Sequence, residues 1–201
     1  PRTLHMSLLK IRDMSLLTTP PQNRQPIETV IDAYNDDRVA SAIRREVERG
    51  GQVFYLHNRV ESLDEVRIKL EKLVPEMMID VAHGQMSATE LDDIFRRFKM
   101  GGFHVLIATT IIEVGVNVPN STVILIKNAE RFGLAQLHQL RGRVGRGSYQ
   151  SYCILSSIKE DVERLEVMTK TTNGFKIAEE IQRLQTGNRC DICSSINLAL
   201  P

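Results

Sequence analysis

Seven consecutive residues, Arg141 to Gly147 (RGRVGRG), hold three arginines and three glycines. Arginine keeps its proton in any protein and grips phosphate oxygens with a planar fork of donors. Glycine lets a backbone turn sharply and come close to a ligand. Arg143 and Arg146 are three apart, so on one helical turn both can point the same way. Two guanidinium groups facing a γ-phosphate would neutralise charge spread over its oxygens in the transition state. Taken alone, the run fits a solvated basic helix end set against the helix dipole equally well. Gln139 just upstream, and polar clusters elsewhere in the chain, favour the phosphate.

Those clusters follow short apolar runs that read as strands: 27–34, 52–57, 78–82, 104–109, 122–127 and 151–156. Amphipathic helices are expected over 36–49, 62–73, 87–98 and 133–142. Ser62 with Glu65 and Ser87 with Glu90 have the spacing of capping boxes. Strands alternating with helices imply βαβ units and an open, mostly parallel sheet. In such a sheet, ligands bind beyond the strand carboxyl ends. HNRVES (57–62) follows the second strand, HGQM (83–86) the third and TTIIEVGVNVPN (109–120) the fourth, and the Arg/Gly run ends the helix after the fifth. Four such loops are expected on one edge. Past 158 the pattern is helical only, as KEDVERLEVMTKT and then GFKIAEEIQRL, which reads as a helical hairpin.

Composition sets the outer bounds. The 201 residues are 42% hydrophobic and 25% charged with a net charge of +1, so any nucleic-acid contact must come from local patches. No apolar run approaches the ~20 residues of a membrane span. Three cysteines argue against a disulfide framework and fit a reducing cytoplasm. Cys190 and Cys193 form one CxxC, half of a zinc ligand set, so no metal site is expected. No HExxH occurs, and Asp92 and Asp93 sit on a charged helix as solvated residues.

QVFYLHNRVES, HGQM, TTIIEVGVNVPN and RFGLAQLHQLRGRVGRG together resemble the motifs of superfamily 2 helicases, in the branch of double-stranded DNA translocases that contains RecG and Mfd. RDMSLLTTPPQNR is more similar to Mfd, and EVGVNVPN with SYCIL to RecG. The resemblance covers roughly residues 1 to 180. It implies a RecA-like open parallel sheet with helices on both faces, the helicase C-terminal member of the P-loop NTPase fold, followed by a helical hairpin. The expected layout is a linker over 1–26, the RecA-like domain over 27–158, and the hairpin with an altered tail over 159–201. No GxxxxGK[ST] occurs in the chain. In the family PRTL lies just past the end of the first motor domain, so the chain is expected to be the second motor domain of a longer protein.

The resemblance assigns roles by motif. Arg143 and Arg146 would contact nucleotide phosphates, with Gln139 positioning them, and Gly115 and Asn117 would adjoin the nucleotide. His57, Asn58, Arg59, His83, Gln85, Thr109 and Thr110 would line the DNA track. ATP with Mg²⁺ would bind jointly with the first motor domain. The implied partners are that domain and double-stranded or branched DNA, with RNA polymerase added for an Mfd-type protein; no membrane is involved. Where the family usually carries an acid, this chain has Asn117, and its tail is shorter. These departures keep a second reading open, a non-catalytic DNA- or protein-binding module of helicase fold. A helicase acting on RNA is a third.

Overall fold

A computed structural model describes residues 25–110, 121–145, 147, 149–157 and 163–194, without the side chains of 163 and 185–194. Six strands, β1 (Glu28–Ala33), β2 (Gln52–Leu56), β3 (Ile79–Ala82), β4 (Val105–Ala108), β5 (Ser121–Lys127) and β6 (Tyr152–Ser157), form one sheet. Its order is β1-β6-β5-β2-β4-β3, and every pairing is parallel. The helices are α1 (Asp36–Glu48), α2 (Leu63–Leu73), α3 (Ala88–Lys99), α4 (Leu134–Arg141), α5 (Glu163–Lys170) and α6 (Gly174–Ser194). None of the helices described is long and apolar enough to cross a membrane.

Period-two alternation divides the central strands between two cores. Val53, Tyr55, Val105, Ile107, Val123 and Leu125 face α1 and α2, packing on Ile43, Val66 and Leu70. Phe54, Leu56, Leu106, Ile124, Ile126 and Leu155 face the other way, onto Phe98 of α3 and Leu137 and Leu140 of α4. Leu165 and Met168 of α5 and Ile177 of α6 enter that second core, so the hairpin shares the sheet's own apolar interior.

Local signals fix the helix starts. Asn35 caps α1, its Oδ1 accepting from the backbone N–H of Asp37 and Arg38. At α3 the capping box forms as expected between Ser87 and Glu90. At α2 it does not: Ser62 makes no side-chain capping bond, because its hydroxyl lies 2.6 Å from His57 Nε2. A tertiary partner has displaced the local one.

The hairpin is fastened to the sheet at two points. Arg164 of α5 donates to the carbonyls of Glu130 (2.7 Å) and Phe132 (3.0 Å), in the turn between β5 and α4. Arg141, the last residue of α4, is only 2% exposed. Its guanidinium donates to the carbonyls of Met168 (2.7 Å) and Thr171 (3.1 Å), to Thr29 Oγ1 and to His138 Nδ1 (3.0 Å). The two carbonyls end α5, where a helix leaves acceptors unbonded and its dipole favours a cation. Burial lowers the Arg141 pKa, but an arginine stays charged.

Removing that cation strands buried carbonyls and opens a cavity. Arg141→Ala should lower the unfolding free energy by about 2–4 kcal/mol in urea titrations, and Arg141→Lys should recover little, since one ammonium cannot span these acceptors. A loss below about 0.5 kcal/mol for Arg141→Ala, within the range of an ordinary surface substitution, would contradict this role.

Candidate functional site

Strand register places three of the sequence-selected loops side by side. Leu56 pairs with Ala108, and Ala108 with Ala82, so His57, Thr109 and His83 are the first residues beyond three adjacent strands. Two backbone bonds lock them together, His57 N–H to the Ala108 carbonyl (3.0 Å) and Thr109 N–H to the Ala82 carbonyl (3.3 Å). His57 and Thr109 are buried, His83 and Thr110 are half-buried, and Arg59 and Gln85 stand in solvent. The carboxyl edge therefore carries imidazoles, hydroxyls, amides and an arginine on a fixed backbone, a set that can hold phosphate oxygens without reading bases.

The same edge contains a cleft at the point where the sheet changes direction. Strands β2 and β5 are neighbours. From β2 the chain passes through α2 on one face toward β3, and from β5 through α4 on the other face toward β6. Outgoing connections that part in this way leave a crevice between the strand ends, the usual ligand position in an open α/β sheet. Here it measures about 280 Å³, with His57, Arg59 and Lys69 on the β2–α2 side and Lys127, Asn128 and Arg131 on the β5 side.

Electrostatics in the cleft follow from burial and crowding. Desolvation, and then the charges of Lys127, Arg59 and Arg131, hold His57 below the ordinary imidazole value of 6.5. Burial also lowers Lys127, reinforced by Lys69 and partly offset by Asp36 and Glu65. Lys69 forms an ion pair with Asp36 at 2.7 Å. Tyr34 lies between the two ammonium groups, 4.8 Å from Lys69 Nζ and 5.0 Å from Lys127 Nζ.

The Arg/Gly run does not share this edge. Helix α4 descends from the carboxyl side, and its end meets the amino end of β1: Arg141 reaches Thr29, and Gly145 packs on Ile27. Gly145 has φ +76°, and a Cβ there would lie 2.7 Å from Ile27 Cγ1, so only glycine fits. The expectation of four loops on one edge is corrected to three, because an eight-residue helix separates the fourth from its strand end. Gln139 is exposed on α4 and Arg143 is half-exposed just past Gly142, the C-cap. Gly115, Asn117 and Arg146 lie outside the described residues, as do residues 1–24 of the expected linker and the end of the tail.

Several residues of the site were given no role by the sequence motifs. Arg141 belongs to the run that suggests phosphate binding, yet it is structural. Lys127, Asn128 and Arg131 form half of the cleft, and only the pairing of β5 with β2 brings them to His57. Asn128, at φ 55°, is the one non-glycine residue of positive φ among those described. Cys153 is fully buried, with its thiol pushed up to about 12 by desolvation, and is chemically inert. Cys190 and Cys193 lie within the last turns of α6, not at the start of a helix that follows a strand.

Comparison with known proteins agrees with this geometry. Residues 35–148 match the family described as the helicase conserved C-terminal domain. The transcription-repair-coupling factor of Staphylococcus haemolyticus (strain JCSC1435) is 46% identical over 187 residues, 89% of this chain and 16% of that protein. A structure of RecG bound to a three-way DNA junction matches with a TM-score of 0.76 and 39% identity, over 90% of this chain and 25% of that one. Domain 2 of the DEAD-box helicase Mss116p, bound to an RNA duplex, shares the fold with a TM-score of 0.57 at 17% identity, over 73% of this chain and 61% of that one. The chain thus spans about 16% of the length of the coupling factor it resembles.

Two histidines set a pH dependence. His57, and His138 through burial and then Arg141, are both held below 6.5. The unfolded chain binds their protons first, so stability is greatest above this value and falls as pH drops through it. Urea-unfolding free energies measured from about pH 7.5 to about 5.5 should decline, and the His57→Gln/His138→Gln double variant should decline less. Equal slopes for both proteins would show that the two imidazoles contribute nothing to the dependence.

Proposed function

We propose that this chain, which belongs to the helicase conserved C-terminal domain family and is of the superfamily 2 RecG and Mfd type, acts as the second motor domain of an ATP-dependent double-stranded DNA translocase of DNA repair. The observation that carries the reading is the division of groups able to hold phosphate between two flanks. His57, Arg59, His83, Gln85, Thr109 and Thr110 gather at the carboxyl edge, where a nucleic-acid backbone can lie across three strand ends. Gln139 and Arg143 stand on a different flank, at the far end of α4. A motor needs this separation, because the DNA grip and the groups that answer to nucleotide must move as one body while occupying different surfaces.

In this mechanism ATP with Mg²⁺ lies between this domain and a first motor domain, which supplies the phosphate-binding loop and the magnesium ligands. Domain closure brings Arg143 and Arg146 to the γ-phosphate, where their charge stabilises the transition state; Gln139 orients them, and Gly115 and Asn117 adjoin the nucleotide. In this reading the chain's own residues hold and orient phosphates. Opening and closing then shift the carboxyl-edge grip along the DNA. In this reading the protein works in the cytoplasm. Branched DNA is the substrate for RecG-like action, and duplex DNA with RNA polymerase for action like that of the coupling factor.

The test is made in a two-domain protein. Arg143→Ala and Arg146→Ala should each reduce DNA-dependent ATP turnover by about 10³-fold with nucleotide affinity nearly unchanged, as for groups acting only on transition-state charge. Parental turnover in both variants would contradict the arginine assignment. Undetectable turnover in the parent, with DNA binding intact, would favour the non-catalytic module to which Asn117 points.

A further inference from the structure

We infer that the cleft between the ends of β2 and β5 is a binding site for a DNA backbone phosphate, held by Lys127 and Arg131 together with Arg59. This deepens the reading above and rests on it, but it adds Lys127, outside every helicase motif of the chain, and gives Arg131, the first residue of RFGLAQLHQLRGRVGRG, a role that the resemblance does not assign. Four cationic side chains, Arg59, Lys69, Lys127 and Arg131, line the cleft against one lining carboxylate, Glu65. Lys69 is held by Asp36, and Arg131 reaches only the 4.0 Å limit of an ion pair with Glu130. Among the described residues, no carboxylate lies within ion-pair distance of Arg59 or Lys127. Lys127 is half-buried, so its ammonium is partly stripped of water without a counterion to replace it, and an incoming anion would supply one.

Neutral donors complete the site. Asn128 is 8% exposed, and its Oδ1 has no partner. A half-turn of the amide presents its NH₂ to an anion instead. The left-handed backbone at Asn128 turns the chain sharply between Lys127 and the short 3₁₀ turn that carries Arg131. His57 Nδ1 also has no partner in the chain, while Nε2 meets the Ser62 hydroxyl. With that hydroxyl donating, Nδ1 carries the proton of the neutral ring.

The choice of a DNA phosphate over a nucleotide phosphate follows from lining and place. Val66 is the one apolar residue that lines the cleft, so nothing there offers an apolar platform for a base. The cleft opens on the edge that carries His57, Arg59, Thr109 and His83, whereas Arg143 lies on the other flank.

Anisotropy of a labelled 20-base-pair duplex, titrated with the chain at several KCl concentrations, tests the inference. Each backbone phosphate contact contributes about 0.9 to the slope of log affinity against log salt. Lys127→Gln and Arg131→Gln should each reduce the slope, by about that amount when combined, and weaken binding several-fold, equally for unrelated sequences. Arg45→Gln, in the last turn of α1 at the opposite edge, removes the same charge and should leave the slope unchanged. Circular dichroism reports folding, and Arg131, exposed at the rim, keeps the test valid if Lys127→Gln unfolds. Wild-type slopes in both cleft variants, with DNA binding retained and the slope lowered by Arg59→Gln, would overturn the inference and leave the translocase reading standing. Failure of the wild-type chain to bind DNA even at low salt would overturn both. Binding of inorganic tripolyphosphate that depends on Lys127, without any Lys127 effect on DNA, would assign the cleft to a nucleotide instead.

Discussion

Six parallel strands send all their carboxyl ends to one edge, and the described loop residues His57, His83 and Thr109 and the cleft beside them are arranged around that constraint. Parallel pairing requires a crossover after each strand, and each crossover must begin with a loop at the same edge. The residues described there include HNRVES, HGQM and the pair Thr109 and Thr110. Because β5 inserts between β6 and β2, the connections leaving β2 and β5 part to opposite faces and hold a crevice open between them. The cations that line it come from residues 57–69 and 127–131, far apart in sequence and joined only by the β2–β5 ladder. The sheet thus places the cleft before any side chain is chosen.

The hairpin is tied to both the sheet and its edge. Arg164 holds the turn after β5, the same turn that carries Arg131, and Arg141 holds the end of α5 from the opposite side. Each arginine answers backbone carbonyls rather than a carboxylate, so each satisfies acceptors that a turn or helix end would otherwise leave unbonded inside the protein. The carboxyl-edge cleft, the helix leading to Arg143 and the C-terminal hairpin are therefore linked through a short chain of polar contacts over a common apolar core. In a motor, such links let a displacement at one flank reach the other without loss in soft intervening loops.

Much of this was legible in the sequence where the signal is local. The apolar runs at 52–57, 104–109 and 122–127 read as buried strands and are buried strands. Ser87 with Glu90 predicts a capping box and forms one, because its partners lie within one turn. Ser62 with Glu65 has the same spacing and fails, because His57 takes the hydroxyl from outside the turn. Arg141 shows the same limit: it opens a run whose composition suggests phosphate, and only the arrival of α5 some twenty residues later makes it a buried clamp. The cleft was illegible for a related reason. Lys127 and Asn128 match no motif, Arg131 opens one that assigns it no role, and strand order decides what they face. The roles of Gly115, Asn117 and Arg146 rest on the resemblance alone.

The central claim is that DNA lies across the carboxyl edge while the nucleotide acts on the flank at the end of α4. Hydrogen–deuterium exchange of a two-domain protein, with and without duplex DNA and with and without a non-hydrolysable ATP analogue, tests both halves in one experiment. The account predicts that DNA protects residues 57–62, 83–87 and 127–131, that the analogue protects residues 139–145, and that the amino-edge turns at 49–51 and 101–104 respond to neither. Protection by DNA at those amino-edge turns, with none at 57–62 or 127–131, would contradict it.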